Sequence, residues 1–215
     1  MGYGKPELEE LHCLVKHVDS YRAGDYVFRT GEPFRTIFAV RFGTVKTRQI
    51  DRDGREQVLG FYLPGEVIGL NAIYPDRFPC DAIALEDSGF CRFSFPAISA
   101  LATRMPALQQ QLFRLISKEV GMASRLSGDY SSDERMAAFL VDLAQRYAQR
   151  GFSGTHFQLS MRRIDIASHL HLTPETVSRV LHRFRSKGLL QVEGRDVTLL
   201  DPERLYELAR SALEH

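Results

Sequence analysis

The chain has 215 residues, of which 44% are hydrophobic and 26% are charged, and this length suffices for two modest domains with separate cores. Lysine plus arginine (28) nearly balance aspartate plus glutamate (27), so any attraction to nucleic acid must come from local clusters of basic residues. The sequence has neither an apolar run that spans a bilayer nor a secretory signal, so we expect a cytoplasmic protein with no membrane contact.

The first predicted element is an N-terminal helix that carries His12, Cys13 and His17. Cys13 and His17 are one helical turn apart, which makes them weak candidates for a metal or haem site. An exposed polar face of the helix explains the same residues, and we favour that interpretation.

Residues 24–95 contain short apolar runs separated by glycines at short intervals. Four of these runs are residues 26–28, 37–40, 45–47 and 58–61. Asp53-Gly54 lies between two of them and indicates a β-hairpin. Short strands of even spacing with glycine turns predict a β-roll or jelly-roll domain, which we place at residues 1–104.

A jelly roll is also the scaffold of cupin-like metal enzymes, so an enzyme is the alternative from another functional class. Such sites need histidine and carboxylate ligands clustered on the strands. The sequence has no histidine between His17 and His156. It also lacks a phosphate-binding glycine loop, a nucleophile elbow and a CxxC motif. We therefore predict that the protein is not an enzyme.

Pro106 begins a helical pattern that runs to about Leu126, within a connecting segment at residues 105–130. The pattern has two apolar stripes. The first contains Leu108, Leu112, Leu115, Met122 and Leu126, with Glu119 interrupting it, and the second contains Phe113, Ile116, Val120 and Ala123. A helix with two apolar faces needs two partners, and its own roll is one of them. Complete burial within a monomer is the alternative.

The third predicted segment, residues 131–215, begins with a capping box at Ser131-Ser-Asp-Glu134. Residues 160–187 have the pattern of a helix-turn-helix. Residues 189–200 predict two short strands around Gly194-Arg195, which form the wing of a winged helix. A last helix is expected from residue 202.

The second helix of this motif has a well-defined start and two different faces. Thr173 can cap it, and Pro174 suits its first turn. An apolar stripe is predicted at Val177, Val180, Leu181 and Phe184. The polar face is expected to contact DNA through Glu175, Ser178, Arg179, Thr173 and Thr176, with Arg162, Arg183 and Lys187 as further DNA-binding residues.

The segment Ile-Ala-x-x-Leu-x-Leu-Thr-x-Glu-Thr-Val-Ser-Arg, residues 166–179, resembles the operator-reading motif of the CRP/FNR family of bacterial transcription regulators. In the branch that is similar to the fumarate and nitrate reductase regulator, the residues matching Glu175, Ser178 and Arg179 read a TTGAT-type half-site. Arg179 can pair with guanine O6 and N7, and Glu175 can accept from the amino group of cytosine. One departure is His171, which occupies a turn position where glycine is usual and a left-handed backbone is expected.

Gly31-Glu32-Pro33 and Gly65-Glu66 look like parts of the effector-binding roll of the same family, so the resemblance covers nearly the whole chain. It implies an α+β protein with an N-terminal β-roll similar to cyclic-nucleotide-binding domains, a long dimerisation helix and a C-terminal winged helix-turn-helix. It further implies an activator that binds double-stranded DNA as a homodimer, contacts RNA polymerase and responds to a signal through its roll. We assign the dimer contact to the leucine-rich stripe that begins at Leu108.

The resemblance argues against cyclic AMP as the signal. Relatives that bind it hold the phosphate with an Arg-Ser or Arg-Thr pair downstream of Gly-Glu. In this sequence the pair falls at Cys80-Asp81. A carboxylate without the arginine repels a phosphate, so we expect no binding of cyclic AMP.

The oxygen-sensing branch holds an iron–sulfur cluster with three N-terminal cysteines and one central cysteine. Cys91 matches the central position, and the other two cysteines are Cys13 and Cys80. Because a cluster takes about four thiolates, we expect none in the chain as given. Each cysteine is otherwise explained as a small buried apolar residue. A haem- or redox-sensing regulator of the same architecture is the alternative, with Cys91 as a further weak candidate ligand.

Overall fold

The computed structural model describes residues 14–125 and 128–213, so His12, Cys13 and Leu126 lie outside the described residues. The described chain divides into two compact units. The first runs to Met122 without residues 55–58, and the second combines Arg55–Val58 with the residues from Ala123 onward.

The first unit is the predicted roll, built from two four-stranded sheets. Its strands are β1 (Val15–Tyr21), β2 (Tyr26–Phe28), β3 (Thr36–Phe42), β4 (Val45–Ile50), β5 (Glu56–Tyr62), β6 (Val67–Ile68), β7 (Asp81–Ala84) and β8 (Ser88–Ser94). One sheet has the order β1-β8-β3-β6 and the other β2-β7-β4-β5. The predicted hairpin at Asp53-Gly54 is confirmed, because β4 and β5 are neighbours and Gly54 has a φ of +77°.

Aromatic side chains from both sheets form the core of the roll. The rings of Phe28 and Phe78 are stacked with centroids 3.9 Å apart. Phe28 on β2 and Phe38 on β3, which belong to different sheets, have ring centroids 5.9 Å apart. Burial of each ring stabilises the fold by roughly 2–3 kcal/mol. The core therefore joins the two sheets into one body.

Two helices follow the roll, α1 (Phe95–Ala102) and α2 (Pro106–Arg125). On α2, Leu108 is buried beside α1, and Leu112 and Leu115 pack against the roll core. The second stripe is exposed, with Phe113 61%, Ile116 36% and Val120 64% accessible. Of the residues assigned to the dimer contact, Leu108 is therefore buried by its own subunit, Leu112 and Leu115 are partly covered by it, and the side chain of Met122 lies outside the described part of the chain.

His17 is not on a helix. It lies on β1, which pairs with β8 so that His17 is opposite Cys91. The predicted helix was wrong at this residue because β1 forms through a partner more than seventy residues away in the chain, which local spacing does not reveal.

The second unit contains α3 (Ser132–Ala148), β9 (His156–Gln158), α4 (Arg163–Leu170), α5 (Pro174–Ser186), β10 (Leu190–Glu193), β11 (Asp196–Leu199) and α6 (Pro202–Leu213). The capping box is confirmed, because Ser131 Oγ accepts from Glu134 N and Glu134 Oε2 accepts from Ser131 N. The predicted wing is confirmed as the β10–β11 hairpin. Strand β9 completes this sheet and was not predicted, since three residues are too few to show alternation.

The turn between α4 and α5 has the left-handed backbone predicted at His171, with a φ of +55°. A β-branched residue is strained in that conformation, whereas glycine is not.

We expect His171→Val to lower the free energy of unfolding by about 1–2 kcal/mol, and His171→Gly to be at least as stable as the wild type. Urea denaturation of the two variants beside the wild type measures both effects. Equal stability of the valine variant and the wild type would contradict the proposed strain.

Candidate nucleic-acid interface

Helix α5 is fixed by its start and by its buried face. Thr173 Oγ1 accepts from Thr176 N at 3.2 Å, so the predicted cap is confirmed. Val177, Val180 and Phe184 have no exposed surface. Because these side chains are held in the core, the opposite face of the helix has a defined direction.

The opposite face presents Glu175, Ser178 and Arg179, and all three are exposed. Ser178 Oγ donates to Pro174 O at 2.9 Å, and Arg179 Nη2 donates to Thr176 Oγ1 at 3.2 Å. Hydrogen bonds from its own backbone amide and from Thr173 lower the pKa of Glu175. An ionised carboxylate and a guanidinium are thus displayed together within the first two turns of the helix. This combination can accept from one base edge and donate to another.

Two of the predicted basic residues lie at the ends of the helices. Arg162 precedes α4, and its Nε donates to Asp165 Oδ2 at 3.1 Å. Asp165 is buried, whereas 69% of the Arg162 side chain is accessible. Lys187 is exposed at the end of α5. Both carry a positive charge in an exposed position.

Arg183, another of the predicted DNA-binding residues, contacts a carboxylate of the protein itself. Its Nε donates to Asp133 Oδ2 at 3.0 Å, and its Nη2 also contacts Asp133. This pair links α5 to the first turn of α3. The guanidinium thus ties α5 to α3 through two of its nitrogens, a contact that local sequence could not reveal.

Arg163 is a residue that the predicted set omitted. Among the residues that the structure describes, its Nη1 is a buried nitrogen without a hydrogen-bond partner. Burial lowers the pKa of the guanidinium. A buried donor without an acceptor is unfavourable, so an anion near the start of α4 would stabilise it. The adjacent Arg162-Arg163 pair was the only sequence signal.

Cys80 and Asp81, which occupy the positions of the phosphate-binding pair in relatives that bind cyclic AMP, make other contacts in the roll. Cys80 is fully buried, and Asn71 Nδ2 lies 3.4 Å from its sulfur. Burial raises the pKa of this thiol. Asp81 Oδ1 accepts from Thr30 N at 2.9 Å, and Asp81 Oδ2 lies 3.4 Å from Arg48 Nε. These residues are tied to the roll itself.

Two of the three weak metal candidates, Cys91 and His17, are brought together, and Cys13 lies outside the described residues. The sulfur of Cys91 lies 3.5 Å from Nδ1 of His17, whereas Cys80 is bonded by Asn71. Within residues 14–125 and 128–213, no group of three or more histidine, cysteine, aspartate or glutamate side chains is arranged to hold a metal ion. The donor set of these residues therefore does not fit a four-thiolate cluster. None of the helices in the same ranges has both the length and the apolar character that crossing a membrane requires.

The sequence matches two domain families. Residues 18–104 match the cyclic nucleotide-binding domain, and residues 134–208 match the Crp-like helix-turn-helix domain. The transcriptional activator protein Anr of Pseudomonas aeruginosa is 40% identical over 211 residues, covering 97% of this chain and 86% of Anr. The fumarate and nitrate reduction regulatory protein of Vibrio cholerae is 38% identical over 206 residues, covering 94% of this chain and 82% of that protein.

Among solved structures, FixK2 from Bradyrhizobium japonicum superposes with a TM-score of 0.82 at 28% identity, covering 90% of this chain and 96% of FixK2. The relatives are transcription regulators and not enzymes.

We expect Arg183→Ala to lower the free energy of unfolding by about 0.5–1 kcal/mol, because it breaks a partly exposed ion pair. Arg185→Ala, which removes the same charge from an exposed position of α5, is the control and should leave the stability unchanged. Thermal unfolding of both variants checks this expectation, and equal midpoints for the two would refute the structural role of Arg183.

Proposed function

The chain belongs to the CRP/FNR family of transcription regulators, and we propose that it acts in the cytoplasm as a homodimer on a TTGAT-type palindrome. The observation that carries this proposal is the exposed trio Glu175, Ser178 and Arg179 on a helix whose opposite face is buried. As an activator, it would act at promoters through contact with RNA polymerase.

The chemistry of the trio supports the proposed half-site. Arg179 has the donor geometry for guanine O6 and N7, and Glu175 accepts from a cytosine amino group. Ser178 is small enough to contact a thymine methyl group. Phosphate contacts from Arg162 and Lys187 add affinity that does not depend on sequence.

Arg179→Ala should weaken binding to a TTGAT-type palindrome by roughly 1–3 kcal/mol and relax the preference for guanine. Lys187→Ala should weaken binding to all sequences alike, because a phosphate contact carries no sequence information. Fluorescence anisotropy at fixed salt, with the palindrome and with shuffled DNA, separates the two effects. Equal losses of Arg179→Ala on both DNAs would refute the assignment.

The exposed stripe on α2 supports the homodimer. Phe113, Ile116 and Val120 follow the alternating three- and four-residue spacing of a coiled coil. Large apolar side chains lined along one exposed helix face mark a contact with another chain. A second copy of this chain offers the same stripe, and a twofold-symmetric pair of helices matches the symmetry of a palindrome.

A charge at Val120 should therefore give a monomer. We expect Val120→Glu to sediment as a monomer at micromolar concentration and to lose tight binding to the palindrome, since two half-sites no longer bind together. Gln111→Glu adds the same charge at an exposed position off the stripe and should remain dimeric. A dimeric Val120→Glu would argue against this interface.

We propose that the signal is neither cyclic AMP nor an iron–sulfur cluster in the chain as given. Supporting this, Cys80 and Asp81 are held by Asn71, Thr30 and Arg48. Without a cluster, the affinity for DNA should not depend on oxygen.

Anaerobic reconstitution followed by iron and sulfide analysis tests the absence of a cluster. Substoichiometric iron that persists in Cys91→Ser is expected, because it reflects unspecific uptake. A cluster near one per subunit that requires Cys91 would contradict the proposal.

A haem- or redox-sensing regulator is the second candidate, and the contact between Cys91 and His17 favours it. Binding to the palindrome should then change after treatment with haem or hydrogen peroxide in the wild type but not in Cys91→Ser. An equal response of the two proteins would exclude Cys91 as the sensor.

A further inference from the structure

Two polar contacts join α2 to the last residue of β5 and to the turn that follows it, and all of their residues belong to the first unit. Lys118 Nζ donates to Glu66 Oε1 at 3.1 Å. The hydroxyl of Tyr62 donates to Glu119 Oε2, also at 3.1 Å. Because Lys118 and Glu119 are adjacent on the helix, the turn is held at two neighbouring points.

Glu66 is only 7% exposed, and a buried carboxylate needs donors or a cation to offset its lost hydration. Leu63 N donates to Glu66 Oε2 at 2.9 Å, and Lys118 supplies the positive charge. The Lys118 side chain remains 48% accessible, which is the usual arrangement of a lysine whose stem lies along a protein surface. The stabilisation of the buried Glu66 carboxylate therefore depends on the position of α2, which carries Lys118.

Tyr62 forms the second contact from a half-buried position at the end of β5. Its burial, with the nearby charge of Glu119, raises the pKa of the phenol far above its ordinary value. The hydroxyl consequently keeps its proton and acts as a donor. Removing this hydroxyl would break the contact with Glu119 and leave the aromatic ring in place.

The two contacts lie where the roll-facing stripe of α2 ends. Glu119 follows Leu115 by four residues, which continues that stripe by one turn, and Val120 on the exposed stripe is the next residue. Apolar packing at Leu112 and Leu115 holds the first half of the helix to the roll. The polar contacts hold the middle, and together they fix the rotation of α2 about its axis.

We propose that the pairs Glu66–Lys118 and Tyr62–Glu119 are positioning contacts that orient the exposed stripe of α2 for dimerisation. This inference rests on the proposed homodimer and names the residues that regulate its affinity. When either pair is broken, α2 turns more freely on the roll, and the dimer loses preorganisation. The sequence preference of α5 should be unaffected, since Glu175, Ser178 and Arg179 belong to the other unit.

Tyr62→Phe and Lys118→Met test the proposal, because each breaks one of the two pairs and keeps most of the side chain. Tyr62→Phe also removes a hydrogen bond of the hydroxyl with Thr47, which lies on β4 of the roll. We expect each to raise the dimer dissociation constant by about three- to tenfold, the range of one hydrogen bond. Sedimentation equilibrium measures this constant. Preference for the matched over the guanine-substituted palindrome should be retained in both.

Arg114→Met is the matched control, since it removes a positive charge from an exposed position of the same helix, and its dissociation constant should equal that of the wild type. Lys118→Arg keeps the charge and should restore most of the affinity lost in Lys118→Met. A purely structural effect of the methionine would not be reversed in this way.

If the wild type is a dimer, and the dissociation constants of Tyr62→Phe and Lys118→Met both differ from that of the wild type by less than about twofold, this inference is overturned. The proposed function would still stand in that case. A wild type that stays monomeric at micromolar concentration would instead refute the proposed homodimer, and this inference with it. A loss of affinity as large in Arg114→Met as in Lys118→Met would also overturn the positioning role.

Discussion

The burial of one face of α5 is the constraint on which DNA reading depends. Val177, Val180 and Phe184 have no exposed surface, so the helix cannot rotate without leaving apolar side chains in water. The left-handed turn at His171 and the cap at Thr173 set where the helix begins. Arg183 ties its later turns to α3 through Asp133. Glu175, Ser178 and Arg179 are exposed because they lie on the side of the helix away from this buried stripe.

Helix α2 also has one face that is covered and one that is exposed. The roll covers one apolar stripe, and the other stripe remains exposed. In the proposed homodimer this second stripe is covered by the partner helix, so that two recognition helices are presented with twofold symmetry. Under this proposal the orientation of α2 on the roll determines how well the dimer forms, without any change in Glu175, Ser178 or Arg179.

Features set by local chemistry were predictable from the sequence. The capping box at Ser131, the cap at Thr173 and the wing around Gly194 each depend on residues within a few positions of one another. Features that depend on distant partners were not. Both stripes of α2 have suitable spacing, and only the packing of Leu112 and Leu115 on the roll decides between them. His17 is on a strand because of β8, and Arg183 is drawn to Asp133 fifty residues away.

Selection of bound fragments from random duplex DNA by the purified protein tests the central claim most directly, because it presupposes no sequence. Base reading by the proposed homodimer predicts enrichment of two inverted TTGAT-type half-sites whose centres are separated by about one helical turn of DNA, roughly 10–10.5 base pairs. Enrichment of a single unpaired half-site, of an unrelated motif, or of no sequence at all would contradict it.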